Sequence, residues 1–171
     1  MRLTIAFLLL WVGLILEATL FQIPPINAIH PGFVLCILVL MALMRGPNTA
    51  VTFAIVIGLI QDICYGSFIG LNAFSYGLVA YFAGAVFSQF LHRNLAITFL
   101  TTLVLTFMHM WVTFGLTRLF DVTADRPTFV LSQSLIEMII NGLVVLMLYP
   151  LLTRLFMKQS RSRYDVPSGD V

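Results

Sequence analysis

Charge is what this sequence has least of. Only 9% of its 171 residues are Asp, Glu, Lys or Arg, against about 25% in ordinary soluble chains. With 60% hydrophobic residues and a mean hydropathy of +1.03, the chain cannot build a water-facing surface. That excludes a soluble domain and indicates a polytopic membrane protein. Cysteine is scarce as well: Cys36 and Cys64 both lie in apolar runs, which points to free thiols rather than a disulfide or a metal pair. Catalytic signatures are missing. There is no Gly-Lys-Ser/Thr phosphate loop, no His-Glu-x-x-His and no Gly-x-Ser-x-Gly elbow, and the loops are too short for a catalytic domain. Ser67 and His109 lack the motif context of an intramembrane protease dyad. The reading is a non-enzyme that calls for no cofactor and no metal. A net charge of +2 is too small to bring in nucleic acid.

What is present is a series of apolar runs. Leu3 to Phe21 is long enough to cross the hydrocarbon core, and no clean small-residue cleavage site follows it, so it reads as an uncleaved first span. Gln22 to Pro31 is a proline-rich connection. The second run, Phe33 to Met44, is short, but Pro31 at its start and Arg45 at its end let it cross a locally thin region. Thr49 to Cys64, Asn72 to Phe90 and Leu95 to Leu119 follow, with His92-Arg93-Asn94 closing the fourth. The sixth opens at Pro127 and runs to Phe156. The fold expected is an all-α integral membrane protein, a six-helix transmembrane bundle over residues 1–157. Residues 158–171 form a short basic tail, expected to be disordered. With a cytoplasmic amino terminus, Arg2, Arg45, Arg93, Arg154, Lys158, Arg161 and Arg163 lie inside, and only Arg118 and Arg126 lie outside. Both termini are then cytoplasmic, and the tail faces anionic lipid.

Polar groups gather toward the outer leaflet in this layout. Glu17 ends the first span, Gln61-Asp62 ends the third, and Gln133, Ser134, Glu137 and Asn141 make a helical stripe on the sixth. Gly58, Asp62, Gly66 and Gly70 recur every fourth residue, so on a helix they would share one face. One reading pairs Asp62 and Glu137 with Arg118, hydroxyls, amides or backbone N–H groups, or leaves them protonated. The other gives at least one carboxylate to a partner helix, a lipid head group or a small cationic ligand. Proton or ion transport is a lesser alternative, since the two halves do not mirror each other. His109 reads as a hydrogen-bonded packing residue, and Trp11, Phe74, Tyr76 and Tyr81 as packing or lipid contacts. The expected partner-binding or polar-core set is Asp62, Gly58, Gly66, Gly70, Asn72, Phe74, Glu17, Glu137 and Asn141.

The stretch from Pro31 to Tyr81 resembles the rod shape-determining protein MreD family. The resemblance rests on Pro31 with apolar residues, on Arg45-Gly46, and on Gly58-Leu59-Ile60-Gln61-Asp62 through Gly66 and Gly70-Leu71-Asn72-Ala73-Phe74. Ala54-Ile55 stands where many members carry Gly-Phe. The resemblance implies a bacterial inner-membrane scaffold of the elongasome that supports rod shape and lateral-wall peptidoglycan synthesis. Its direct partner would be a bitopic MreC-like protein. Indirect partners would be MreB, RodA and a penicillin-binding transpeptidase. It also implies a fold similar to the six-helix substrate-binding subunits of energy-coupling-factor transporters. From that likeness comes the alternative function, a vitamin-type small-molecule binding subunit.

Overall fold

The computed structural model describes residues 3–20, 31–87 and 95–157, and every regular element among them is helical. Six helices follow in order: α1 (Leu3–Leu20), α2 (Phe33–Arg45), α3 (Pro47–Tyr65), α4 (Leu71–Phe82), α5 (Leu95–Leu119) and α6 (Pro127–Met157). They match the six apolar runs closely. Three of them, α3, α5 and α6, are long and apolar enough to cross a membrane, while α1, α2 and α4 are shorter apolar helices. The fourth span differs from its expected course. α4 stops at Phe82 and continues as a π-helical turn, Ala83–Phe87, and the rest of the expected span to Phe90 lies outside the described residues. So do the loop 22–30, His92-Arg93-Asn94 and the tail 158–171.

Local chemistry sets the helix ends. Pro47 opens α3, where a missing N–H goes unnoticed. Gly46 alone joins α2 to α3 at φ +87°, a left-handed corner that a Cβ would strain. The helices alternate in direction, so α1, α3 and α5 finish where α2, α4 and α6 begin. We call this the cap end.

α2 is the centre of the bundle. It is apolar on every side, and all ten residues from Val34 to Leu43 are buried. It touches each of the other five helices. Apolar burial does little to drive helices together in lipid, so association rests on close packing and on polar contacts. Small residues supply the packing. Ala50, Ala54, Gly58 and Asp62 recur every fourth residue on α3 and are all buried. A Cβ on Gly58 would stand 2.5 Å from the Ala73 Cα of α4, so the two backbones touch there. At the opposite end a Cβ on Gly84 would stand 2.6 Å from the Pro47 Cα. The buried face of α5 is lined with Thr98, Thr101, Thr102 and Thr106. Thr102 donates to the Thr98 carbonyl at 2.9 Å, satisfying its hydroxyl within the helix.

Candidate functional site at the cap end

A helix begins with N–H groups that its own carbonyls cannot reach, and in the hydrocarbon region no water serves them. α4 solves this locally. The Asp62 carboxylate, in the last turn of α3, accepts from the backbone N–H of Gly70 at 2.9 Å, Asn72 at 3.0 Å and Ala73 at 3.2 Å. Three N–H donors at the positive end of the helix dipole thus satisfy the buried Asp62 side chain from the backbone alone. The chain must double back to make these bonds. α3 ends at Gly66, whose N–H bonds the Asp62 carbonyl at 3.0 Å, and Gly70 turns at φ +103° into α4. A Cβ on Gly66 would come within 2.6 Å of the Asp62 Cα.

This corrects one expectation and narrows another. Gly66 and Gly70 do not continue a helical stripe with Gly58 and Asp62, because the helix has ended. The every-fourth register runs upstream instead, through Ala54 to Ala50. Of the partners expected for Asp62, the structure supplies backbone N–H groups and not Arg118, which is exposed near the end of α5.

α2 solves the same problem with distant groups. Glu17 of α1 accepts from the Val34 N–H at 2.8 Å through Oε1, and Asn141 of α6 accepts from the Gly32 N–H at 2.7 Å through Oδ1. The Asn141 side-chain amide donates to Thr106 of α5 at 3.3 Å, and the Asn141 backbone carbonyl accepts from the Cys36 thiol at 3.5 Å. One asparagine thereby ties α2, α5 and α6 together. Cys36 is buried and Cys64 exposed, both as free thiols.

Between the two caps lies a cavity of about 160 Å³. Glu17, Asn72, Glu137 and Asn141 all line it, so four of the expected residues come together. Gln61, Tyr76 and His109 join them. Tyr76 and His109 stack at 4.9 Å with planes 15° apart. Two polar atoms here are buried without a hydrogen-bond partner, Gln61 Oε1 and His109 Nδ1. His109 packs through its ring against Tyr76, with Nδ1 left without a partner. Gly58, Asp62, Gly66 and Gly70 sit beside the cavity in the α3–α4 turn. Phe74 is 55% exposed, facing away from the bundle. A second cavity of about 320 Å³ lies closer to the cap-end surface, lined by Ser67, Thr117, Asp125 and Gln133, and shares Met110 with the first.

Sequence reasoning missed Gln61, Tyr76 and His109 as site residues. The one available signal was spacing: Asn72 and Tyr76 lie four apart, on one helix face. Among the described residues, no three His, Cys, Asp or Glu side chains gather closely enough to hold a metal ion.

No curated protein and no solved structure matches the chain, so the likeness to energy-coupling-factor subunits finds no support there. A family model described as rod shape-determining protein MreD matches residues 1–159. With a match over nearly its whole length, the chain belongs to the MreD family of shape-determining membrane proteins, a family not known for enzymes.

Proposed function

We propose that the chain is a non-enzymatic membrane scaffold that binds a bitopic MreC-like protein at the cap end. Through that partner it would link MreB, RodA and a penicillin-binding transpeptidase, and so support lateral-wall peptidoglycan synthesis. The family's role in rod shape determination supplies the setting. On this reading the cap end faces outward and both termini lie in the cytoplasm, and the excess of basic residues in the connections at the other end supports that orientation.

The observation that carries the reading is the α3–α4 turn. Its base is fixed by three hydrogen bonds to Asp62, and its rim presents Ile63, Ile69 and Phe74, each more than half exposed. A rigid apolar rim can bind a partner without losing much conformational entropy. Gly58 and Gly66 serve this surface indirectly. Their faces are filled by Ala73 and Asp62 of the same chain, so they shape the turn rather than receive a partner helix.

The test is site-specific photo-crosslinking in cells from position 69 or 74 to a co-expressed MreC-like protein. A crosslink from both, and none from the lipid-facing position 100, is the expected result. Equal yields from all three positions reject the surface. Phe74→Ala should lower partner co-purification about tenfold at unchanged expression, equivalent to about 1.4 kcal/mol.

By size, the vitamin-binding alternative would have to use the outer cavity, at the lower end of the usual range, because the inner one is too small. Ligand pockets for small molecules usually span about 300–1,000 Å³. The inner polar cavity holds about 160 Å³ and the outer one about 320 Å³. Mass spectrometry of the denatured protein, with ATPase subunits absent from the purified complex, would separate the two readings.

A further inference from the structure

We propose that the polar cavity between the two caps is a binding site for a cationic N–H head group, an ammonium or a guanidinium. The inference goes beyond the scaffold reading and stands without it.

The cavity wall holds two carboxylates, Glu17 and Glu137, and neither Lys nor Arg. Glu17 is engaged in capping α2, at Val34 and Phe33, while Glu137 takes part in neither cap. Asn141 is already committed, its oxygen to Gly32 and its amide to Thr106. Gln61 is 8% exposed, lines the cavity and leaves Oε1 with no donor. Asn72, Tyr76 and His109 bring donors to the same wall, yet none of them meets Gln61 Oε1 in this half-open space between helices. A buried acceptor without a partner costs about 1–3 kcal/mol, so the site calls for an occupant rich in N–H groups.

Chemistry narrows the occupant further. The carboxylates are too dispersed to gather three ligands for a metal. The stacked Tyr76–His109 pair gives one wall an aromatic face, which suits a flat or compact cation. A volume of about 160 Å³ equals roughly five waters at ~30 Å³ each, enough for a head group and too little for a large molecule. The shared wall residue Met110 separates this space from the outer cavity, and its flexible side chain gives a route inward from the cap-end surface.

Two sources offer this chemistry, a free small amine or a Lys or Arg side chain from a bound protein. The experiment uses the full chain in lipid nanodiscs, with its thermal unfolding midpoint followed against methylguanidinium and methylammonium at constant ionic strength. Tetramethylammonium, which carries the charge without N–H donors, is the control. A saturable rise in midpoint with at least one N–H cation, and none with tetramethylammonium, is expected. Glu137→Gln and Gln61→Leu should each weaken the apparent affinity at least about tenfold. Glu137 caps neither α2 nor α4, so folding of that variant is expected and is checked by its midpoint without ligand.

No saturable rise with either cation overturns the proposal. So does an equal rise with tetramethylammonium, or an unchanged affinity in both variants. A second arm assigns the source. If saturating methylguanidinium releases a co-purified MreC-like protein, the head group belongs to that protein. If the partner stays bound while the midpoint rises, the ligand is a free amine. Loss of partner from Phe74→Ala with intact methylguanidinium binding would affect the scaffold reading alone.

Discussion

α2 and α4 begin at the same end of the bundle, are nearly equal in length at 13 and 12 residues, and meet the same physical demand. They meet it differently. α4 is served by one carboxylate only 8 to 11 residues upstream, within a turn that glycine makes possible. α2 is served by Glu17 from 17 residues away and by Asn141 from 109 residues away, across three helices. The α4 cap is therefore a local unit that can form as soon as α3 and α4 meet. The α2 cap is complete only when α1, α2 and α6 have all docked. Buried backbone donors can thus be satisfied by a motif or by a whole fold, and the two leave different traces in sequence.

Mutation separates the two solutions, and the largest effect belongs to the local one. Gly58→Leu puts a side chain where the Ala73 backbone stands 2.5 Å from a Cβ, so α3 and α4 cannot close. A loss of about 3 kcal/mol or more is expected, read as loss of monodisperse protein in size-exclusion chromatography. Near-normal recovery would mean that the α3–α4 contact is not a condition for folding.

Asp62→Ala comes next. It strands three N–H groups and should cost about 2–4 kcal/mol, while Asp62→Asn keeps one acceptor oxygen and should cost about half as much. Denaturant unfolding in mixed micelles measures both. Equal losses would show that charge against the helix dipole, rather than the hydrogen bonds, carries the cap.

On the remote side, Asn141→Leu removes the acceptor for Gly32 and the donor to Thr106, with an expected loss of about 1–3 kcal/mol by the same assay. Glu17→Gln retains an oxygen for the Val34 N–H and should cost less than about 1 kcal/mol. A loss from Glu17→Gln as large as that from Asn141→Leu would give the two caps the same electrostatic character and collapse the contrast. The smallest effect is a labelling difference. Cys64 should react with a membrane-permeant maleimide in the folded protein, whereas buried Cys36 should react only after unfolding.

Much of the frame was legible because apolar runs punctuated by Pro, Gly and Arg report helices directly. α5 has the boundaries read from its run, Leu95 to Leu119, and the others differ at their ends by a few residues. The importance of the Gly58–Gly70 stretch was legible too, since only a tight local feature concentrates glycines around one carboxylate. Its geometry was not. A four-residue period fits both a helical stripe and a helix that stops, and only the Asp62 hydrogen bonds decide between them. Asn141 stood out as a polar residue on α6, but no spacing could reveal that it serves Gly32. Gln61, Tyr76 and His109 were ordinary residues until helix packing brought them to one cavity.

The burial of α2 has a mechanical consequence. At about 1.5 Å per residue it is a post of roughly 20 Å, gripped at one tip by Glu17 and Asn141 and ending at Arg45 on the far side. Tilting α1 or α6 at the cap end cannot leave this post behind without breaking hydrogen bonds that have no replacement in hydrocarbon. A tug at the cap end is carried along α2 as a rigid displacement of its Arg45 end.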